Sequence, residues 1–206
     1  MRTRAIDPLA LQPRDVYRLL TSLVVPRPIA WVSTVAPSGA RNLAPHSYFN
    51  ICSQDPPILH FTQGSVKDSV RNAEATGEFV ISLVSREMLE QMNISAADFP
   101  ADQDEFEWAG VEAAPSTLVA PPRVAEAPAS FECRVREVIR MGNGHMVFGD
   151  VVHIHVAESA MIGERIDPLK LHSVGRLGGP FYTFVEQIHE LARPTWEQLR
   201  NERTPR

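Results

Sequence analysis

The amino-acid sequence predicts a mainly β protein with short helices, built on an antiparallel barrel. About six apolar segments of strand length are separated by turn residues, and the helical segments between them are short. The last two strand segments flank the turn sequence Gly-Asn-Gly at 142–144, which is typical of a hairpin. Closing such a sheet into a barrel removes its exposed edges. A doubly wound α/β sheet is the alternative that the short helices disfavour.

The N-terminal third begins with an amphipathic helix over residues 13–24. Val16, Leu19, Leu20 and Leu23 recur at the spacing of one helical face, and two prolines at 26 and 28 end the helix. The apolar, β-branched segment 29–36 is predicted to be a strand. A Pro-Ser-Gly turn follows, and the chain resumes at residue 41, so we expect a hairpin.

The remaining elements follow in order along the chain. The expected strands are 58–62, 78–84, 130–139 and 145–156, and the expected helices are 67–75 and 86–93. Residues 99–128 are rich in proline and are predicted to form a long excursion from the barrel. Residues 194–203 are predicted to be a C-terminal helical extension. We predict that residues 1–206 form a single domain.

Composition excludes several classes of partner. A formal net charge of −5 argues against nonspecific binding of nucleic acid, which requires a basic face. Nowhere do eighteen apolar residues run together, so we predict no membrane segment and a cytoplasmic protein. Cys52 and Cys133 have no nearby cysteine or histidine partner and are expected to be buried free thiols.

The loop Ser65–Ser69 has the composition of an anion site. Lys67 is one of two lysines against eighteen arginines, and it lies between Ser65 and Ser69 just before a helical segment. Hydroxyls, an ammonium group and the N–H groups of a helix start can converge on a phosphate. Asp68 would repel that phosphate, so we expect it to cap the helix or to hold a backbone N–H or a basic side chain. The alternative is a capped, solvated helix start.

The preceding segment, 42–50, is more polar than a plain core strand. Asn42, His46, Ser47 and Asn50 need partners if they are buried, so some of them should face a ligand. Backbone amides beside Ala44 and Pro45 suit the hydrogen-bonding edge of a flavin ring, and an aromatic side chain of the same region would pack on its face. For the aromatic residues Trp31, Tyr48 and Phe49, core packing is the favoured reading.

Seven sequence blocks together resemble a known family, the flavin reductase-like FMN-binding split barrels, which include flavoredoxin-like flavoproteins. The blocks are RPIAWVST (27–34), G-x-x-NLAPHSYFN (39–50), DPP (55–57), SVKDS-x-x-N (65–72), TGEFVIS (76–82), GH-x-x-x-G (144–149) and RLGG-x-x-Y (176–182). The resemblance covers about residues 25–182. The phosphate motif departs from the KDT-like form at Ser69, which retains the hydroxyl.

The resemblance implies an antiparallel split β-barrel that forms a homodimer, with FMN near the interface. It implies hydride transfer from NADH or NADPH to FMN, after which the reduced flavin serves a partner oxygenase or another electron acceptor. No catalytic acid or base is obligatory. The implied flavin-binding residues are Thr34, Asn42, Leu43, Ala44, Pro45, Ser47, Phe49, Asn50, Ser65, Lys67, Asp68 and Ser69.

Three further residues are candidates beside the flavin. His145, in the turn between the last two strands, is the candidate for contact with the nicotinamide, and its alternative role is to stabilise that turn. Arg27 and Arg176 would balance the pyrimidine edge of reduced flavin or meet a dinucleotide phosphate. Their alternative role is an ion pair at a surface or a subunit interface.

Two other functions stay open at this level. A non-catalytic FMN carrier or redox sensor would have the same binding residues. A metal-dependent barrel enzyme would use His153 and His155, which alternate along one strand and share a face, with Glu158 nearby. No third ligand is fixed by the spacing, so we predict no metal site.

Overall fold

The computed structural model describes residues 2–203, with side chains up to residue 200. Its strands are β1 (Arg27–Pro28), β2 (Ala30–Val35), β3 (Arg41–His46), β4 (Phe49–Gln54), β5 (Pro57–Gln63), β6 (Glu78–Leu83), β7 (Ala113–Ala114), β8 (Arg123–Val124), β9 (Ala129–Met141), β10 (Gly144–Val156), β11 (Met161–Ile162), β12 (Arg165–Ile166), β13 (Val174–Arg176) and β14 (Tyr182–Phe184). Its α-helices are α1 (Pro13–Leu23), α2 (Asp68–Thr76), α3 (Leu89–Ile94), α4 (Glu105–Ala109) and α5 (Trp196–Arg203). Single 3₁₀ turns occupy Pro8–Ala10, Arg86–Met88 and Glu158–Ala160.

Seven antiparallel strands form the main sheet, in the order β3-β2-β6-β9-β10-β5-β4. β3 and β4 follow each other in the chain but lie at opposite edges of the sheet. The sheet therefore curls until its edges meet at the bend between them. There the ring centroid of His46 on β3 lies 5.0 Å from that of Phe61 on β5. The predicted mainly β, antiparallel split barrel is confirmed.

Contrary to expectation, the barrel is not closed by hydrogen bonds, because no ladder of strand hydrogen bonds joins β3 to β4 or β5 within residues 2–203. The chemistry of β3 explains the gap. Pro45 has no N–H to offer a neighbouring strand. The N–H of Leu43 donates instead to the buried carboxylate of Glu105 in α4, at 3.0 Å. The side chain of Glu105 thus accepts an N–H group of β3 that a strand closing the barrel would otherwise pair with.

Two apolar clusters lie on the two sides of β2. Val32 belongs to the cluster inside the barrel, where Phe61 and Phe79 meet edge to face with centroids 5.3 Å apart and α2 covers the end. Trp31 belongs to the outer cluster under α3 and α4. Its indole N–H donates to Ser95 Oγ at 2.9 Å, so Trp31 is a core residue, as the sequence favoured.

Most predicted elements are confirmed, and one expectation, that both cysteines are buried, is wrong. The polar segment 42–50 bends at Ser47, so that it forms β3 and the start of β4. The helix α1 forms as predicted, but its apolar face is largely open, with Leu20 and Leu23 52 % and 74 % exposed. Cys52 is exposed on β4, whereas Cys133 is buried as expected.

The proline-rich excursion is tied to the barrel by one buried carboxylate. Glu132 on β9 is fully buried and accepts the N–H groups of Thr117 and Leu118, each at 2.6 Å. It also lies 2.6 Å from the ring nitrogen Nε2 of His155. Burial acts to raise the pKa of Glu132, but these hydrogen bonds outweigh it and lower the pKa. Among the helices of residues 2–203, none is long and apolar enough to cross a membrane.

Candidate functional site

The predicted anion loop, residues 65–69, leads from the end of β5 to the start of α2. Ser65 and Lys67 are exposed there, and Lys67 is the residue that precedes the first turn of α2. The ammonium of Lys67 lies 2.5 Å from the carboxylate of Asp98, and its hydrogen bond and charge lower the pKa of Asp98. Asp68 forms an ion pair with Arg71 one turn further on. It therefore holds a basic side chain, one of the roles expected for it.

Ser69 does not face the loop opening. It is buried, and its Oγ accepts the side-chain N–H of Asn42 at 3.2 Å and lies 3.1 Å from Nε2 of His46. Because the amide donates to the hydroxyl oxygen, the hydroxyl proton is available to the imidazole nitrogen. Asn42 and His46 lie on β3, so Ser69 fixes the predicted anion loop against the strand predicted to line the flavin ring.

Thr34 and Asn72 extend this buried polar network. The Oγ1 of Thr34 accepts the amide N–H of Asn42 at 3.3 Å and that of Asn72 at 3.2 Å. Burial, and secondarily the charge of Lys67, lower the pKa of His46 to about 4. The imidazole is therefore neutral near pH 7 and can accept the Ser69 proton. The network joins β2, β3 and α2 without an ion pair.

A cleft of about 490 Å³ opens beside the bend between β3 and β4. Pro45 and Ser47, both predicted ring contacts, line it. Arg27 lies at its base, buried: its guanidinium donates to the carbonyls of Thr21, Val24 and Leu177 at 2.6, 2.7 and 3.0 Å. Its Nε donates to Ser47 Oγ at 3.3 Å. Arg27 thus holds the bend after β3, the strand predicted to line the flavin ring, against α1.

Arg176 faces the same cleft from β13. Its guanidinium carbon lies 4.4 Å from the ring centroid of Tyr182, and it donates to the hydroxyl of Tyr182 and to the carbonyl of Gly179. Neither guanidinium meets a carboxylate within the described residues of the chain, so a surface ion pair is not formed there. An ion pair at a subunit interface stays the alternative for both arginines. Both residues are oriented by neutral groups.

The loop and the cleft are neighbours. Ala96 lines the cleft, and Asp98, two residues further along the chain, binds Lys67. A flavin that extends from the loop to the cleft would pass along β3, which the buried network holds in place. The residues predicted from two distant sequence blocks are in this way brought to one edge of the barrel.

Other predicted flavin residues lie in different surroundings. Leu43 is buried in the outer core cluster, and Phe49 packs against the inner one. Ala44 is half-buried on β3. Asn50 is exposed on β4, where its side-chain oxygen accepts the N–H of Ile51 at 2.8 Å. Any contact of Leu43 with a ligand would use its backbone, and the flavin roles of all four stay predictions.

His145 does not line the cleft. It is half-buried at the start of β10, and its register partner on β5 is Gln63, whose side-chain oxygen lies 3.4 Å from the backbone nitrogen of Lys67. It is therefore a neighbour of the anion loop. Its predicted contact with the nicotinamide stays a prediction.

The histidines of the metal alternative do lie together, with ring centroids 4.7 Å apart. His155, however, contacts Glu132, whose carboxylate is already held by two backbone N–H groups of the excursion. Within the described part of the chain no cluster of three His, Cys, Asp or Glu residues is arranged to hold a metal ion. Glu132, in contact with His155, therefore holds the proline-rich excursion against the barrel.

Sequence reasoning missed three charged residues of this region. Asp98, the partner of Lys67, comes from the excursion, and no local signal marks it. Arg14 and Arg18 line the cleft from α1. Their spacing of four residues was a readable signal, because like charges at that spacing destabilise a helix and need a reason.

The curled antiparallel sheet with its short helices defines this chain as a split-barrel protein. Comparison with known proteins gives the family: residues 22–170 match the family described as the flavin reductase like domain. The chain belongs to the flavin reductase-like family. Membership makes it an oxidoreductase of a family that uses a flavin with a nicotinamide donor.

Individual relatives cover nearly the whole chain. An uncharacterized protein of Deinococcus radiodurans is 39 % identical, in a match that covers 93 % of this chain and 90 % of that protein. Nitrilotriacetate monooxygenase component B of Bacillus cereus is 33 % identical with a TM-score of 0.89, covering 93 % of this chain and 100 % of its own. The 2-nitrobenzoate 2-nitroreductase NbaA of Pseudomonas fluorescens is 31 % identical with a TM-score of 0.85, covering 94 % and 98 %.

Proposed function

We propose that this protein is a cytoplasmic NAD(P)H-dependent flavin reductase that binds FMN. The observation that carries the proposal is the contact of Ser69 with Asn42 and His46, at 3.2 and 3.1 Å. This contact fixes the cationic loop and the polar strand β3 relative to each other, next to a cleft of about 490 Å³. A carrier protein would need the loop and strand but not a cleft beside them.

The residues present fit FMN. The phosphate would lie at the loop, near the Lys67 ammonium, the Ser65 hydroxyl and the N–H groups at the start of α2. The ring would lie along β3 towards Pro45 and Ser47. Ser69, because its hydroxyl is committed to His46 and Asn42, would support this site from beneath and would not contact the phosphate.

FMN, when bound, accepts a hydride at N5 from a nicotinamide and passes the electrons on. The chain itself has to bind, orient and shield the reactants. Arg27 keeps Ser47 in place, and Arg176, which stacks on the ring of Tyr182, presents a cation to the same cleft. His46 stays neutral and contributes no proton near pH 7. No acid or base is required for the transfer.

A second subunit and an electron acceptor complete the proposal. The apolar side chains of Leu20, Leu23 and Tyr17 on α1 are more than half exposed in the single chain, as expected of a face that a homodimer would cover. The similarity to a monooxygenase component B supports an oxygenase as recipient of the reduced flavin. The homodimer and the oxygenase partner both go beyond what membership of the family shows.

The experiment is a steady-state assay of NADH and NADPH oxidation with FMN as acceptor, followed at 340 nm. Ser47→Ala removes a cleft hydroxyl that Arg27 holds, and Ser53→Ala, on β4 outside the cleft, is the matched control. We expect FMN-dependent oxidation that the first change slows and the second leaves unaltered. FMN binding without oxidation of either nicotinamide would favour the carrier and contradict the proposal.

A further inference from the structure

The cleft beside β3 carries more positive charge than a flavin needs. Four arginines line it, Arg14, Arg18, Arg27 and Arg176, and no aspartate or glutamate is among its described lining residues. The chain as a whole has a formal charge of −5, so this excess is local. A concave, one-sign lining raises the local concentration of the opposite charge.

The four arginines form two like-charge pairs. Arg27 and Arg176 are directly opposite each other in the β1–β13 ladder. Arg14 and Arg18 are four residues apart on α1. Like charges destabilise in both arrangements. Among the described residues Asp15 meets only Arg18, at 3.5 Å and with both side chains exposed, which offsets little of the repulsion between the arginines. Two unfavourable pairs that face one cleft indicate an anionic ligand.

The inner and outer pairs have different tasks. The guanidinium of Arg27 is occupied by three carbonyls and a hydroxyl, and that of Arg176 by Tyr182 and Gly179. These two groups are fixed and act through their charge. Arg14 and Arg18 have exposed side chains on α1 and can close directly on a ligand. The outer pair is therefore the place where a phosphate group would be contacted.

We propose that this cleft binds the phosphates of the nicotinamide donor and selects NADPH over NADH. The inference rests on the proposed function, which supplies the donor. The two molecules differ by one 2′-phosphate, which adds about two negative charges near neutral pH. The FMN phosphate has its own cation at Lys67, so it does not account for the arginines. Arg14 and Arg18 contact the 2′-phosphate, and Arg27 and Arg176 attract the diphosphate.

Calorimetry on the FMN-loaded full-length protein tests the site without turnover. The probes are 2′,5′-ADP, which carries the 2′-phosphate, and 5′-AMP, which lacks it. We expect 2′,5′-ADP to bind at least tenfold more tightly, and the double variant Arg14→Ala, Arg18→Ala to lose that preference. Arg165→Ala on β12, exposed and outside the cleft, is the control and should keep it. Equal binding of the two probes by the unaltered protein would overturn the inference, as would a preference that survives the double variant.

A kinetic comparison separates this inference from the function on which it rests. We expect the ratio of kcat/KM for NADPH to that for NADH to exceed ten, and to approach one in the double variant through a higher KM for NADPH. Equal use of both donors would contradict the selection of NADPH and leave the flavin reductase in place. Tight 2′,5′-ADP binding without FMN reduction would contradict the proposed function and leave the phosphate site in place.

Discussion

Two substitutions in one ion pair should change FMN affinity in opposite directions. Lys67→Ala removes the ammonium proposed to meet the flavin phosphate. A hydrogen bond to a charged group contributes about 1.5–3 kcal/mol. Because the Lys67 side chain is 55 % exposed, solvent screening reduces that to about 1–1.5 kcal/mol. We therefore expect FMN to bind about tenfold more weakly. Riboflavin, which has no phosphate, should bind unchanged.

Asp98→Asn should do the reverse. The carboxylate of Asp98 lies 2.5 Å from the Lys67 ammonium, where it both occupies the cation and repels an incoming phosphate. Its neutral amide isostere removes the competing charge, so FMN should bind more tightly and riboflavin should not respond. Asp102→Asn, an exposed acidic residue four positions further on, is the matched control.

Quenching of flavin fluorescence measures both affinities for each variant. A loss shared equally by FMN and riboflavin in Lys67→Ala would refute the role of Lys67 at the phosphate. Weaker FMN binding in Asp98→Asn would refute the competition. Thermal unfolding checks that each variant is folded before its affinities are compared.

Three further predictions concern the buried network and the core. Ser69→Ala leaves Asn42 and His46 without their shared partner and should weaken FMN and riboflavin equally, with a loss of about 1–3 kcal/mol of stability in urea unfolding. The pKa of His46 is about 4 in the folded protein and 6.5 in the unfolded chain. The stability that the neutral imidazole contributes is therefore complete above pH 6.5 and falls by at most about 3 kcal/mol as the pH drops to 4. His46→Gln should flatten that part of the pH profile of stability. At Gly149 a Cβ would meet the Phe79 ring and lie 2.9 Å from Cys133 Cβ, so Gly149→Ala should cost about 1–3 kcal/mol of stability. Gly64→Ala, whose Cβ would meet no atom within 4 Å and whose backbone is outside the left-handed region, is the control.

Local signals in the sequence were enough for most of the fold. Gly77 ends α2 in the left-handed conformation expected of a helix C-terminus, and the turn at Gly142 joins β9 to β10 as predicted. The bend that splits 42–50 into β3 and β4 was not predictable in the same way. It exists because the two strands lie at opposite edges of a curled sheet, and that arrangement depends on contacts such as His46 with Phe61, far apart in the chain.

The residues of the candidate site also fall into those that local sequence predicts and those that depend on tertiary packing. Lys67 and Ser47 carried enough local chemistry to be named from the sequence, and the structure places them at the loop and in the cleft. The inward turn of Ser69 was missed, because a hydroxyl after a lysine looks the same whether it faces a phosphate or a buried imidazole. Asp98 and Arg18 come from segments whose approach to the loop and cleft is set by tertiary packing.

Anaerobic stopped-flow reduction measures directly whether FMN on this protein accepts a hydride from a nicotinamide. The protein is mixed with NADH or NADPH, with and without added FMN, and the flavin absorbance at 450 nm is followed over a single turnover. We expect rapid bleaching by a stoichiometric amount of nicotinamide whenever FMN is present, and faster bleaching with NADPH than with NADH. A protein that binds FMN yet leaves it oxidised in the presence of both nicotinamides would contradict the proposed function.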